Sequence, residues 1–376
     1  GSTLWSLIST NSFESSGMSF LNTEVANSGS AGIVNGTAAA DKFVVTVGGT
    51  QSVAANGTTF NQVAAVGAGK GDDDVQYNSA DWTIQGTEAS NIEGIAFTDI
   101  ESINKNNSAG ITNRTLNGTA GQDLLNIEGT NTISANGITY YGIGSVDAKG
   151  NAVDALDAVS GSTLWSLIST NSFESSGINF LNTEVANSGL AGTLNGTVGN
   201  DSFAITGNQS VLVNGTTFNQ VTTVDAKDNL TKNDVDSISG SSTWGLTATG
   251  FTANQISFVD FETADSGSAG TLNGTTGNDN FAITGNQSVL VNGTTFNQVT
   301  TVDAKDNLTK NDVDSISGSS TWGLTATGFT ANQISFVDFE TADSGSAGTL
   351  NGTTGNDNFA ITGNQSVLVN GTTFNQ

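Results

Sequence analysis

An internal repeat constrains this chain more than any other feature of its sequence. The segment LNGTTGNDNFAITGNQSVLVNGTTFNQ at Leu272–Gln298 recurs without change at Leu350–Gln376. Near-copies begin at Val34, Leu116 and Leu194. Self-similarity at a fixed period is the signature of solenoids and related arrays. The chain is therefore expected to be built from one structural unit used several times.

The repeat keeps an almost constant length. Its starts lie near residues 35, 117, 195, 273 and 351, at steps of 82, 78, 78 and 78. Residues 192–269 and 270–347 differ only at Val198/Thr276 and Ser202/Asn280, which indicates recent tandem duplication. We predict one continuous repeat array over residues 1–376, with partial first and last repeats.

Each repeat has two similar halves. The stretch Val289–Ala304 resembles Gly328–Ser344 in its spacing, with Phe296 and Phe336 as matching aromatic residues. Apolar residues alternate with polar ones, as in a strand with one buried face, and Asn-Gly pairs indicate turns. We predict an all-β fold, a parallel β-solenoid (β-helix) of ~78-residue repeats. A string of β-sandwich domains, each with one core Trp, is the alternative. The predicted core residues of one copy are Phe281, Ile283, Val289, Val291 and Phe296.

Composition excludes several functions. Asp and Glu outnumber Lys and Arg by 35 to 9, giving a net charge of −26, so no basic patch could neutralise nucleic-acid phosphates. No apolar stretch is long enough to insert into a membrane. The chain has no His and no Cys, which excludes Ser–His and Cys–His catalysis. Because no segment departs from the repeat as an active site normally does, we predict no enzymatic activity and no obligatory cofactor.

A short motif in each copy resembles part of a calcium-binding signature. Gly277-Asn278-Asp279-x-Phe281 is similar to the second part of the nonapeptide G-G-x-G-x-D-x-U-x of the RTX proteins. The resemblance implies that the Asp and loop carbonyls bind Ca²⁺ while the large apolar residue enters the core. It assigns calcium to Asp41, Asp123, Asp201, Asp279 and Asp357, and core positions to Phe43, Leu125, Phe203, Phe281 and Phe359. The alternative is a tight turn whose Asp accepts backbone N–H groups.

A second acidic cluster lies at the junction between the two halves. It reads GDDDV at Gly71–Val75 and NDVDS at residues 233–237 and 311–315. The spacing suits a cation on a loop, and solvated loop charge is the alternative. The candidate ligands are Asp72, Asp74, Asp234, Asp236, Asp312 and Asp314. A recurrent glutamate, at Glu24, Glu101, Glu184, Glu262 and Glu340, is expected at an exposed or turn-lining position.

Over its whole length the chain resembles the tandem-repeat region of giant bacterial surface proteins. The sequence patterns NGT.GND.F and VNG..F..V..VDA are similar to those of RTX-like and filamentous-haemagglutinin-like repetitive adhesins, also described as β-strand repeat proteins. The resemblance implies an extracellular or cell-surface location and a structural role, as an adhesin stalk or a self-assembling filament. Its partners would be other copies of itself or neighbouring repeats of a longer chain, with any receptor bound elsewhere in the protein. A calcium-dependent RTX-like adhesion module is the alternative function.

Overall fold

The structure is a computed structural model. It describes residues 3–46, 51–77, 82–86, 88–92, 94–105, 114–150, 153–158, 162–227, 234–305 and 312–376. Across these ranges the secondary structure is strand and turn, without a helix. It follows that nothing in this part of the chain has the length and apolarity of a membrane-crossing helix. The chain divides into two compact units, residues 1–190 and 191–376.

The strands are short, and most span three to six residues. The first unit contains β1 (Leu4–Ser9), β2 (Ser12–Ser15), β3 (Met18–Leu21), β4 (Val25–Asn35), β5 (Lys42–Thr46), β6 (Ser52–Ala55), β7 (Thr58–Gly67), β8 (Asp74–Gln76), β9 (Trp82–Gly86), β10 (Ala89–Ile92), β11 (Ile95–Thr98), β12 (Ser102–Ile103), β13 (Arg114–Asn117), β14 (Leu124–Gly129), β15 (Thr132–Ala135), β16 (Ile138–Tyr141), β17 (Ile143–Asp147), β18 (Ala155–Ala158), β19 (Ser162–Ser169), β20 (Ser172–Ser175), β21 (Ile178–Leu181) and the start of β22 (Val185–Asn195). The second unit contains the end of β22, then β23 (Ser202–Gly207), β24 (Ser210–Val213), β25 (Thr216–Asp225), β26 (Ser237–Ser239), β27 (Thr243–Thr247), β28 (Gly250–Ala253), β29 (Ile256–Val259), β30 (Thr263–Asn273), β31 (Asn280–Gly285), β32 (Ser288–Val291), β33 (Thr294–Asp303), β34 (Ser315–Ser317), β35 (Thr321–Leu324), β36 (Phe329–Ala331), β37 (Ile334–Val337), β38 (Thr341–Asp343), β39 (Thr349–Asn351), β40 (Ala360–Gly363), β41 (Ser366–Val369) and β42 (Thr372–Asn375).

Each unit is a parallel β-solenoid whose coils stack strand on strand. In the second unit, one sheet (sheet A) runs in the order β23, β26, β30, β33, β32, β31, β34, β38, β42. The opposite sheet (sheet B) runs β25, β29, β28, β27, β30, β33, β37, β36, β35, β39. The long strands β30 and β33 contribute to both sheets. Coil-to-coil pairs are parallel, which confirms the solenoid in place of the β-sandwich alternative.

An antiparallel hairpin inside each coil explains the similarity of the two half-repeats. Strands β32 and β33 turn at Asn292 and Gly293, which have φ of 50° and 87°. Strands β36 and β37 turn at Asn332 and Gln333, with φ of 49° and 64°. Two consecutive positive φ values form the turn that matches the twist of a hairpin. One half-repeat therefore places its hairpin in sheet A and the other in sheet B, and the Asn of each turn is where the sequence predicts it.

The core of each coil is a cluster of aromatic rings. Trp244 is fully buried and lies edge-on to Phe251, with ring centroids 5.6 Å apart. Its indole N–H donates to Ser266 Oγ at 2.9 Å, so its one polar atom is satisfied. Phe251 in turn lies 5.2 Å from Phe296. The predicted core residues Phe281, Ile283, Val289, Val291 and Phe296 are all buried.

One residue at a predicted core position is exposed, unlike its counterparts in the other copies. Phe43, Leu125, Phe203 and Phe281 are at most 2% exposed, but Phe359 is 46% exposed. Phe281 is covered because Ile316 of β34 pairs with it in the next coil. Phe359 has no such counterpart before Gln376. Burial of this position therefore depends on the following coil and not on the motif itself.

Candidate functional site: a recurring acidic column

The aspartate of the GND motif closes a tight turn. Asp279 Oδ2 accepts hydrogen bonds from Thr275 N at 2.7 Å and from Thr275 Oγ1 at 3.0 Å. A Cβ on Gly274 would lie 2.5 Å from the carbonyl oxygen of Ala304, so glycine is needed where neighbouring coils come this close. The same Thr-to-Asp bonds occur at Asp41, Asp123, Asp201 and Asp357. The predicted turn with an N–H-accepting Asp is confirmed in every copy.

This aspartate also begins a stack of acidic residues that runs across three coils. The backbone N–H of Asp279 donates to Asp314 Oδ1 at 2.7 Å. The backbone N–H of Asp314 donates to Glu340 Oε2 at 2.6 Å. These three residues immediately precede β31, β34 and β38 of sheet A, so their stacking follows from strand pairing. We call this Asp–Asp–Glu arrangement the acidic column.

Among the described residues the acidic column occurs four times, twice in each unit. In every copy the bonds join the same atoms, at distances of 2.6 to 2.9 Å. Charge-assisted bonds of this kind are about twice as strong as neutral ones. Their regularity holds stacked coils in register within each unit. The copies are Asp41–Asp73–Glu101, Asp123–Asp154–Glu184, Asp201–Asp236–Glu262 and Asp279–Asp314–Glu340.

The central aspartate of each column is buried with half of its hydrogen-bonding capacity unused. Asp73, Asp154, Asp236 and Asp314 are at most 1% exposed. Their Oδ1 atoms accept the N–H described above, while their Oδ2 atoms have no hydrogen-bond partner among the described residues. An ionised carboxylate in this position is costly, because its charge is both desolvated and incompletely paired.

The charges around the central aspartates add to this cost. Burial is the main cause that raises the pKa of Asp236 to about 7, and Glu262, Asp201 and Asp234 raise it further. Burial likewise raises the pKa of Asp73 and of Asp314 to about 6, again next to acidic neighbours. The pKa of Asp154 is raised for the same reasons. The central carboxyl groups therefore gain protons more readily than an ordinary aspartate does.

The junction aspartates singled out by spacing lie in different environments. Asp236 and Asp314 are the central residues of two columns, and Asp234 and Asp312 are 8% exposed. Solvated loop charge is therefore the wrong interpretation for these four, because their side chains are buried. Asp74 is also buried and accepts a hydrogen bond from Ser102 Oγ at 3.1 Å. Only Asp72 is exposed, and it pairs with Lys105.

Two of the central aspartates were not predicted from the sequence. Asp73 is hidden within the run of three aspartates, and Asp154 lies in NAVDAL, which has a single acidic residue. A sequence pattern that identifies all four central aspartates is an Asp that lies two residues before an apolar residue and 26 to 30 residues before the recurrent Glu. Those glutamates are turn-lining, as predicted, at Glu101, Glu184, Glu262 and Glu340.

Calcium fits the described residues poorly. Ca²⁺ takes six to eight oxygen ligands. Within the described ranges no group of three or more acidic side chains converges as a metal site would require. The turn aspartates already use their Oδ2 atoms as acceptors for Thr275 and its counterparts. The assignment of calcium to the eleven aspartates named above stays a prediction.

Comparison with known proteins adds no relative. Neither the protein-family models nor the curated proteins contain a match to this chain. The features that bear on function are therefore the repeat, the acidic column and the surface of the coils.

Proposed function

We propose that this chain is the structural repeat region of an extracellular bacterial surface protein, either the stalk of an adhesin or the subunit of a self-assembling filament. The observation that carries the proposal is the recurrence of one coil design in both units, with the same acidic column four times. A catalytic centre is normally a single departure from its scaffold. Here the same atoms recur at the same distances.

The physical properties of the coils support this role. The stability of a solenoid is approximately a sum over neighbouring repeats, so the copy number can change without redesign of the fold. The net charge of −26 keeps such surfaces soluble and mutually repulsive. The resemblance of its sequence patterns to those of RTX-like and haemagglutinin-like adhesins supports the same role. Other copies of the chain, or neighbouring repeats of a longer one, would be its main partners.

Deletion of one whole repeat tests the structural role. Removal of residues 270–347 joins Ala269 to Gly348 and recreates the native sequence SGSAGTLNG at the junction. We expect a folded chain with a nearly unchanged melting temperature, and a denaturant m value reduced in proportion to the length removed. Circular dichroism during thermal and urea unfolding measures both quantities.

A half-repeat deletion is the matched control. Removal of residues 270–308 deletes the sheet A hairpin β31–β33 and places two sheet B hairpins, β27–β29 and β35–β37, in succession, so we expect strong destabilisation or aggregation. If the whole-repeat deletion is as damaging as this control, the repeats are not interchangeable, and the structural proposal fails.

A calcium-dependent adhesion module is the second candidate function. The observation in its favour is the unpartnered Oδ2 atom of each central aspartate, which could face a cation. This candidate predicts a melting temperature many degrees higher in calcium than in chelator, because a ligand that binds only the folded state stabilises it. The structural proposal predicts superimposable curves. Thermal melts in millimolar calcium and in chelator, with magnesium as the control cation, distinguish the two.

A further inference from the structure

A groove recurs at the same place in two consecutive repeats of the second unit. The first has a volume of about 870 Å³ and lies beside β27 and the turn between β28 and β29. The second has a volume of about 540 Å³ and lies beside β35 and the turn between β36 and β37. Every residue that lines the second groove has its counterpart in the first, 78 positions earlier. The groove is therefore a shared property of these two near-identical repeats.

The lining of the groove is polar but uncharged. It consists mainly of Ser, Thr, Asn, Gln and Gly and contains no acidic or basic side chain, although the chain has 35 acidic and 9 basic residues. The side-chain amides of Asn254 and Gln255 form no hydrogen bond with the described residues, and each offers two donors and an acceptor. Thr252 and Asn273 add a hydroxyl and a further amide. Such a surface suits a ligand with many neutral hydroxyl groups.

Two other copies of the repeat differ at three groove positions. In the groove, Thr252 pairs with Gly245. In the corresponding hairpins of two other copies, the position of Thr252 is occupied by Glu14 or Glu174, and the position of Gly245 by Ser6 or Ser166. The turn position of Gln255, with φ of 64°, is occupied by Gly17 and Gly177, with φ of 76° and 75°. Glycine adopts this conformation without the steric cost that Gln incurs. Compared with these copies, the two grooves lack a charge, have more space at the floor and carry an additional amide at the rim.

We propose that these grooves bind a neutral polysaccharide, one segment of the sugar chain in each groove. Hydroxyl and amide groups can exchange hydrogen bonds with sugar hydroxyls, and the net charge of −26 disfavours anionic polymers. Equivalent strands β27 and β35 are five strand pairings apart in sheet B, or about 24 Å. A linear polymer can occupy both grooves at once and gain avidity from weak individual contacts. The proposal goes beyond the structural role and does not depend on it.

Binding of the full chain to immobilised polysaccharides tests the proposal. The probes are dextran, laminarin, mannan and galactan as neutral polymers, with alginate as the anionic control, measured by surface plasmon resonance. We expect at least one neutral polymer to bind and alginate not to bind. Binding to none of the four neutral polymers, or tighter binding to alginate, would overturn the proposal.

Matched variants locate the site. T252E/T330E introduces the glutamate that other copies carry, and Q255G/Q333G restores their glycine, so both should fold with unchanged melting curves. We expect each to weaken binding roughly tenfold or more, since both grooves change together. T206E/T284E adds the same charge at exposed positions outside the grooves and should leave binding unchanged. Equal losses in the groove variants and in this control would contradict the assignment.

Discussion

Raising the pH from about 4 to about 8 is expected to lower the free energy of unfolding of this protein. The central aspartates of the acidic columns have raised pKa values, about 6 for Asp73 and Asp314 and about 7 for Asp236, against 3.8 for an unperturbed aspartate. Between these values the folded chain binds more protons than the unfolded chain. Stability is therefore fully present below about pH 4 and is lost as the pH rises through 6 to 7.

The size of this effect follows from the pKa differences. One pKa unit corresponds to about 1.4 kcal/mol, and with allowance for screening we expect on the order of 1–3 kcal/mol per site. Urea unfolding at a series of pH values measures it. The variant D73N/D154N/D236N/D314N keeps each Oδ1 acceptor and replaces the costly carboxylate with a neutral amide. We expect this variant to have a flatter pH profile and to be more stable than the parent chain at about pH 8.

The control for general charge repulsion removes four exposed carboxylates. D99N/D260N/D338N/D343N lowers the net negative charge by the same amount at exposed positions. It should shift the whole profile slightly and keep the slope between about pH 4 and 7. If the buried and exposed variants give parallel profiles of unfolding free energy against pH, protonation of the central aspartates does not cause the pH dependence. The pH dependence would then arise from surface carboxylates.

Replacement of Trp244 by Ala is expected to destabilise the second unit by about 3–5 kcal/mol, the usual cost of removing a large buried aromatic side chain. The change removes the contacts with Phe251 and Phe296 and leaves a cavity at the centre of the coil. Because repeat proteins are coupled mainly between neighbours, the damage should be local. Hydrogen exchange should increase most in β27, β28 and β30, while urea unfolding gives the free energy.

Ser266→Ala is the matched control for this substitution. It removes only the partner of the indole N–H, so we expect a loss of about 1 kcal/mol. A similar loss in both variants would mean that the hydrogen bond, and not ring packing, stabilises the coil. Uniform loss of protection throughout the second unit would contradict the nearest-neighbour description.

The features that local chemistry determines can be predicted from the sequence. Alternating apolar residues specify strands, and Asn292-Gly293 specifies a hairpin turn because both residues tolerate positive φ. The resemblance of the half-repeats anticipates the two hairpins. Asp279 is correctly placed in a turn, since a Thr four residues earlier supplies its donors.

Features that depend on the neighbouring coil cannot be predicted in this way. Asp314 resembles a loop residue in sequence, yet it is fully buried because Asp279 and Glu340 stack on either side of it. Phe281 and Phe359 occupy identical sequences, and only the first is covered. The grooves likewise require knowledge of which turn lies beside which strand. Burial and charge in a solenoid are set by residues some thirty positions away, beyond any local pattern.

The near-identity of residues 192–269 and 270–347 has a consequence for how the chain folds. A coil can pair as favourably with the copy one repeat too far along as with its true neighbour, leaving a whole repeat looped out. Loop closure costs only about 0.6 kcal/mol for each doubling of loop length, so such slipped states are weakly penalised. Folding from the N-terminus during synthesis avoids them, because each new coil emerges when only its correct neighbour is available. We expect refolding of the complete chain from denaturant to be slower and more error-prone than its first folding on the ribosome.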